Sequence, residues 1–195
     1  GDNPTYPEQI LSESLGQVYR RLDMIREDTA DLTQVNIHHW QQLNPVITEA
    51  LVQLTTGAPQ IIYNGGLLLC RVRYFDPTDK RPGLPRDVAA LVENVEDEHT
   101  VLRLVNLNPL DTREVVIQAG AFGEHHFTTA DYTQRTSEYP GSLADYNAPA
   151  LEVETRHVTI DGKHLHVKLP PATEIVLDLH MQRFANDPTY VLPWA

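Results

Sequence analysis

The hydrophobic period of this chain changes once, near Gly57-Ala58-Pro59, and that change bounds what it can fold into. Upstream, apolar residues recur every three or four positions, as on one stripe of a helix. Downstream, short alternating runs broken by turn residues continue to the C-terminus, as on strands with one buried face. The order predicts a mainly β protein: an antiparallel β-sandwich preceded by about three helices. The expected boundary separates a helical lead-in, or the tail of an upstream domain, at 1–58 from a β-sandwich domain at 59–195.

The helical half is read from its stripes. Leu11, Leu15, Val18, Leu22 and Ile25 fall on one face, with Glu13, Gln17, Arg20 and Arg21 opposite. A second helix is expected after Asp31, using Leu32, Val35, His39 and Leu43. For a third, Asn44 suits the cap, Pro45 the first helical position and Gly57 the end, with Val46, Ile47, Ala50, Leu51 and Leu54 facing inward. None is long enough to be stable alone, so each must pack on the β region or on an upstream domain.

In the second half, strands are expected at 61–63, 67–75, 88–95, 101–107, 114–119, 126–132, 151–160, 164–169 and 174–181. Asn108-Pro109-Leu110-Asp111-Thr112 reads as a longer hairpin turn, and Asp161-Gly162 as a two-residue type I′ turn. The latter register would pair His157 with His166 and Thr159 with His164. It sends Val158, Ile160, Leu165, Val167 and Leu169 inward, and His157, His164, His166 and Lys168 outward. Three imidazoles on one face can hold a transition metal. No Asp, Glu or Cys completes a tetrahedral set, however, and Lys168 repels a cation. The expectation is a polar sheet face, no metal and no cofactor, with His157, His164 and His166 as the alternative.

Composition narrows the partners. A net charge of −12 over 195 residues disfavours nucleic acid, whose phosphates demand clustered Lys and Arg. The longest apolar run, at 67–70, is far too short to span a membrane, and no signal-peptide pattern is present. The opening Gly1-Asp2-Asn3-Pro4, with no initiator Met, suggests a processed or excised piece. Cys70 lies in an apolar run, where a buried, inert thiol is expected.

Other clusters are weaker. His38-His39 and His125-His126 point their neighbours apart, so neither pair chelates alone. Glu124-His125 offers a carboxylate and an imidazole without a nucleophile in an elbow-like turn. The acidic Glu93, Glu96, Asp97 and Glu98 lack the spaced ligands of a calcium loop. Residues 132–149 form the longest stretch without strand pattern and carry Tyr132, Tyr139 and Tyr146 among polar residues. Tyrosines in such a loop either stack on a sugar ring or seal the loop onto its own domain.

Leu-Val-Asn-Leu-Asn-Pro at 104–109, Arg-Glu-Val-Val-Ile-Gln-Ala-Gly at 113–120 and Leu-Pro-Pro-Ala-Thr-Glu-Ile-Val-Leu-Asp-Leu at 169–179 follow in an order that resembles the C-terminal β-sandwich of multidomain bacterial glycoside hydrolases. The resemblance implies a non-catalytic accessory or capping module. The catalytic carboxylates of such proteins sit upstream in a barrel, the sandwich packs on that barrel, and no catalytic residue carries over to this chain. It also implies an extracytoplasmic setting and an upstream domain as partner, a second copy being the other candidate. Carbohydrate contact is expected from the loop itself, through Tyr132, Tyr139 and Tyr146, which have no counterpart in that family. The alternatives are an assembly module using the amphipathic helices, or a small stand-alone hydrolase or metalloprotein.

Overall fold

The computed structural model describes residues 3–59, 66–135 and 153–195. Three helices come first: α1 (Tyr6–Glu27), α2 (Ile37–Leu43) and α3 (Glu49–Thr56). Strands β1 (Val72–Asp76), β2 (Arg81–Pro82), β3 (Val88–Val95), β4 (His99–Asn106), β5 (Arg113–Ala119), β6 (His126–Arg135), β7 (Val153–Gly162), β8 (His164–Leu169) and β9 (Glu174–Gln182) follow. They form two antiparallel sheets, one ordered β2-β1-β5-β8 and the other β3-β4-β9-β6-β7. The chain is thus mainly β, with N-terminal helices and a sandwich.

The core fills the space between the sheets. Val72, Tyr74, Val115, Ile117 and Leu169 come from one side, and Leu102, Leu104, Phe127, Leu177 and Leu179 from the other. Alternation explains β4, where every second residue from Thr100 to Asn106 is buried. It does not explain β5, whose Val115–Ala119 run is buried throughout. The outer side of β5 is covered too: Val116 lies opposite Phe75, and Trp194 of the C-terminal segment meets Phe75 edge to face at 5.9 Å.

Two expectations change. Asn44 does not cap α3; it ends α2, and its side chain accepts from Val46 N at 3.0 Å, turning the chain before Pro45 can start a helix. α3 begins at Glu49 and ends as expected on left-handed Gly57, φ 67°. Of 67–75, the first residues form a single 3-10 turn at Leu67–Leu69, and the strand starts at Val72. The expected strand at 61–63 lies outside the described residues.

Neither expected hairpin turn joins partners. Residues 108–112 link β4 in one sheet to β5 in the other, and Asp161-Gly162 links β7 to β8, again across sheets. A type I′ turn needs positive φ at both central residues, but only Asp161 has it, at 47°. β7 instead follows β6 from Phe127↔Gly162 to Arg135↔Val153, while β8 follows β5. Val167 and Leu169 are buried as expected, and Ile160 and Leu165 partly so; Val158, on an edge strand, is not.

α3 belongs to the sandwich physically. Ala50 and Leu54 are buried, Tyr74 Oη donates to Thr55 O, and Arg71 N donates to Thr56 O at 2.8 Å. Behind it, Ala58, Cys70 and Ala121 form a second small core with Val52 and Phe122. Cys70 Sγ is buried beside Thr56 Oγ1 at 3.3 Å, and burial pushes the thiol up, as an inert structural cysteine requires.

The sheets are pinned at one end by Asn106, only 1% exposed. Its Nδ2 lies 3.0 Å from Leu169 O, 2.9 Å from Pro170 O and 2.9 Å from Asp111 O, and its Oδ1 accepts from Asn108 N. Asn106→Ala strands the buried Leu169 carbonyl and should cost about 1–3 kcal/mol. Urea denaturation measures it; a loss under about 0.5 kcal/mol, the size of an ordinary surface change, would mean that carbonyl finds another donor.

Candidate functional site

The residues singled out in the sequence do not converge. Tyr132, on β6, is partly buried and packs against the core opposite Leu177, so its ring is architecture. Tyr139 and Tyr146 lie outside the described residues. The three-histidine face is not assembled. His157 belongs to the five-stranded sheet, where its Nδ1 sits 2.7 Å from Asp131 Oδ1. His164 and His166 belong to the other sheet, opposite Gln118 and Val116. The cause is the sheet change at Asp161-Gly162, which gives each strand a different partner. His38 and His39 point apart on α2, toward Gln41 and Asp28.

Glu124 and His125 are buried together beneath the C-terminal segment, but as a structural cluster. The Glu124 carboxylate accepts from Phe122 N at 2.7 Å, and His125 Nδ1 accepts from Phe184 N at 3.1 Å. Nε2 stands 3.9 Å from Glu124 Oε1. Asn186 ties the segment down, donating to His125 O at 2.8 Å. Gly120, φ 84°, is required here, because a Cβ would stand 2.5 Å from the Glu124 carboxylate.

A cavity of about 710 Å³ opens where the helices meet the sandwich. Tyr6, Gln53 and Leu54 line its helical side, and Arg71, Glu93 and Arg183 its sheet side. Tyr6 Oη donates to Gln53 Oε1 at 3.1 Å across it, a tie between α1 and α3. The cations are engaged: Arg71 donates to Asp97 O at 3.3 Å, and Arg183 lies 4.0 Å from the Asp97 carboxylate and over the Phe184 ring.

The more distinctive surface is helical. α1 runs for 22 residues without one buried residue. Leu11, Val18 and Leu22 of its stripe are half-covered, whereas Leu15 and Tyr19 are 55% and 66% exposed. Ile25, Leu32, Ile37, Trp40, Val46 and Leu51 continue the exposed apolar positions around it. An amphipathic helix owes most of its stability to tertiary packing of its apolar face, and contiguous exposed apolar surface marks interaction sites.

A sequence family described as "Domain of unknown function (DUF8034)" matches residues 1–52. The match spans α1 and α2 and stops inside α3, so it covers the helical part and none of the strands. No curated protein and no solved structure matches the chain. Among the described residues, no helix is long and apolar enough to cross a membrane.

One group escaped the sequence reading. His99, Asp178 and His180 meet on the outer face of the five-stranded sheet. Asp178 and His180 are two apart on a strand, a spacing that places both on one face. The pairing of β4 with β9 that adds His99 is not written locally.

Buried histidines give this fold a pH dependence. Burial lowers the His125 imidazole below its ordinary range, with Glu124 opposing and Arg183 and Arg71 reinforcing. Burial lowers His164 as well, helped by Lys163 and His166. A depressed folded pKa means the unfolded chain binds the proton first. Stability is therefore full above the unfolded histidine pKa of about 6.5 and is lost as pH falls toward the folded value. The urea midpoint should drop between about pH 7.5 and 5.5, less in His125→Gln and least in His125→Gln/His164→Gln; equal drops in all three would refute this origin.

Proposed function

We propose that this chain is a non-catalytic accessory and capping module of a larger carbohydrate-active, glycoside hydrolase-like protein. Its sandwich is the rigid body, and the α1–α2 face seats a neighbouring domain of the same protein. The observation that carries the reading is α1, a helix with an apolar stripe and no buried residue. α3 is fixed to the sandwich, so a domain resting on α1 and α2 would be held through α3 against β1 and β3. The family match confined to residues 1–52 supports the helices as a recurring unit distinct from the strands.

The resemblance to glycoside hydrolase sandwiches gains a physical rationale from Asn106. Its side chain joins the Leu-Val-Asn segment to the carbonyls of Leu169 and Pro170, the start of the Leu-Pro-Pro segment. Those two segments belong together because one closes the other's hydrogen bonds, a structural job that fits a module without chemistry of its own.

Hydrogen exchange tests the seating. In the isolated chain, α1 amides should exchange rapidly, because little tertiary burial holds them. In the complete gene product the same amides should slow by at least about tenfold, with Leu15→Glu/Tyr19→Glu restoring fast exchange. Equal exchange in the two would overturn the reading. A homo-oligomer would instead show slowing that depends on concentration in the isolated chain.

Carbohydrate contact, as part of this proposal, falls to Tyr139 and Tyr146, since Tyr132 is committed to packing. Affinity electrophoresis in soluble polysaccharide should show retardation of the wild type that Tyr139→Ala and Tyr146→Ala abolish. Unretarded wild type would remove sugar contact from this chain while leaving the seating intact.

A further inference from the structure

The outer face of the five-stranded sheet carries a group unconnected with the seating surface. β4 and β9 pair antiparallel with His99 opposite His180, and Asp178 lies two residues from His180 on the same face. The neighbouring inward residues, Thr100 and Leu179, are fully buried, so the backbone under the group is fixed by the core. The imidazoles lie 5.1 Å apart between ring centres. His99 Nε2 touches Asp178 Oδ1, and His180 Nε2 stands 3.7 Å from the same oxygen. One ligand atom from each residue lies within 4.8 Å of the other two.

That arrangement suits a divalent cation of the zinc class. With metal–ligand bonds of about 2.0–2.1 Å, tetrahedral donors sit roughly 3.4 Å apart, so small side-chain rotations bring the three atoms to that spacing. Two imidazoles among three donors select zinc, nickel, cobalt or copper over calcium and magnesium, which prefer oxygen. His99 and Asp178 are partly buried and His180 is exposed, leaving a fourth position open to water.

The surroundings reinforce the set. Glu96 Oε2 lies 3.8 Å from His99 Nδ1, the side away from Asp178, where a carboxylate orients a ligating imidazole and strengthens it as a donor. Across β9, Asp131 stands opposite Asp178 in the ladder. The Asp131 carboxylate is engaged by His157 Nδ1 at 2.7 Å and adds acidic charge beside the group. Arg103, four residues along β4 on the same face, is already held by Glu93 at 2.7 Å and by Glu174.

We propose that His99 Nε2, His180 Nε2 and the Asp178 carboxylate form a binding site for one zinc-class divalent metal ion on the outer face of the β4–β9 ladder.

The test is calorimetric titration of the tag-free chain with zinc chloride and, separately, nickel chloride near neutral pH. One ion should bind per chain and raise the melting temperature. His180→Gln and Asp178→Asn alter exposed or half-exposed side chains and should leave the metal-free melt near wild type. Each should weaken binding at least about tenfold. His166→Gln, an exposed histidine on the other sheet, should bind as wild type does. Absence of stoichiometric binding, or unchanged affinity in both His180→Gln and Asp178→Asn, would overturn the site; so would loss of binding in His166→Gln alone.

Discussion

The sandwich depends on how its two sheets are closed at one end, and Asn106 does most of that closing. It terminates β4 in one sheet while its amide bonds the carbonyls that terminate β8 in the other. The Leu169 carbonyl is buried, and a buried acceptor without a donor costs more than an ordinary hydrogen bond returns. The pin fixes where β4 ends, where the crossing at 108–112 begins and where Leu-Pro-Pro leads into β9. Around it, Arg113 bonds Asp87 at 2.9 Å and Asn108 bonds the same carboxylate at 3.1 Å, which together hold that carboxyl below its usual range. β9 then lies between β4 and β6, and the outer-face group of His99, Asp178 and His180 exists because of that placement.

The other end is closed differently. α3 and the C-terminal segment cover it, the helix through Leu54 and the Thr55 and Thr56 carbonyls, the segment through Phe184 and Asn186 against His125. Buried charge there is tolerated because hydrogen bonds satisfy much of it. What remains uncovered is α1, which touches α2 and α3 but buries nothing fully. The molecule therefore has a finished side and an unfinished one, and the functional proposal rests on that asymmetry.

Much of this was legible from the chain. The period of Leu11–Ile25 gave α1, and Gly57 in a left-handed conformation ended α3 as its type requires. Strand positions from 88 onward held to within a few residues, because alternation is imposed by a core on one side. The starts of α2 and α3 were less legible: α2 begins at Ile37 and not soon after Asp31, capped by Asn36, whose side chain accepts from His38 N, and α3 begins at Glu49 and not at Pro45. Only the turn at Asn44 shows that its side chain bonds Val46 N and breaks the chain before Thr48.

The sequence alone determined the mainly β architecture, the helical lead-in, most strand positions from 88 onward and the burial of Cys70. These follow from local period, composition and residue chemistry, which need no partner to be specified. Tertiary structure decided which strands are neighbours. The alternation in β7 and β8 was read correctly in part, but the pairing was not: a two-residue turn can join partners or cross between sheets, and here β7 pairs with β6 and β8 with β5. That choice dispersed His157 from His164 and His166, and the pairing of β4 with β9 gathered His99, Asp178 and His180, residues 79 and 81 positions apart along the chain. Contacts of that range depend on the free energy of the whole sandwich, which no local pattern encodes.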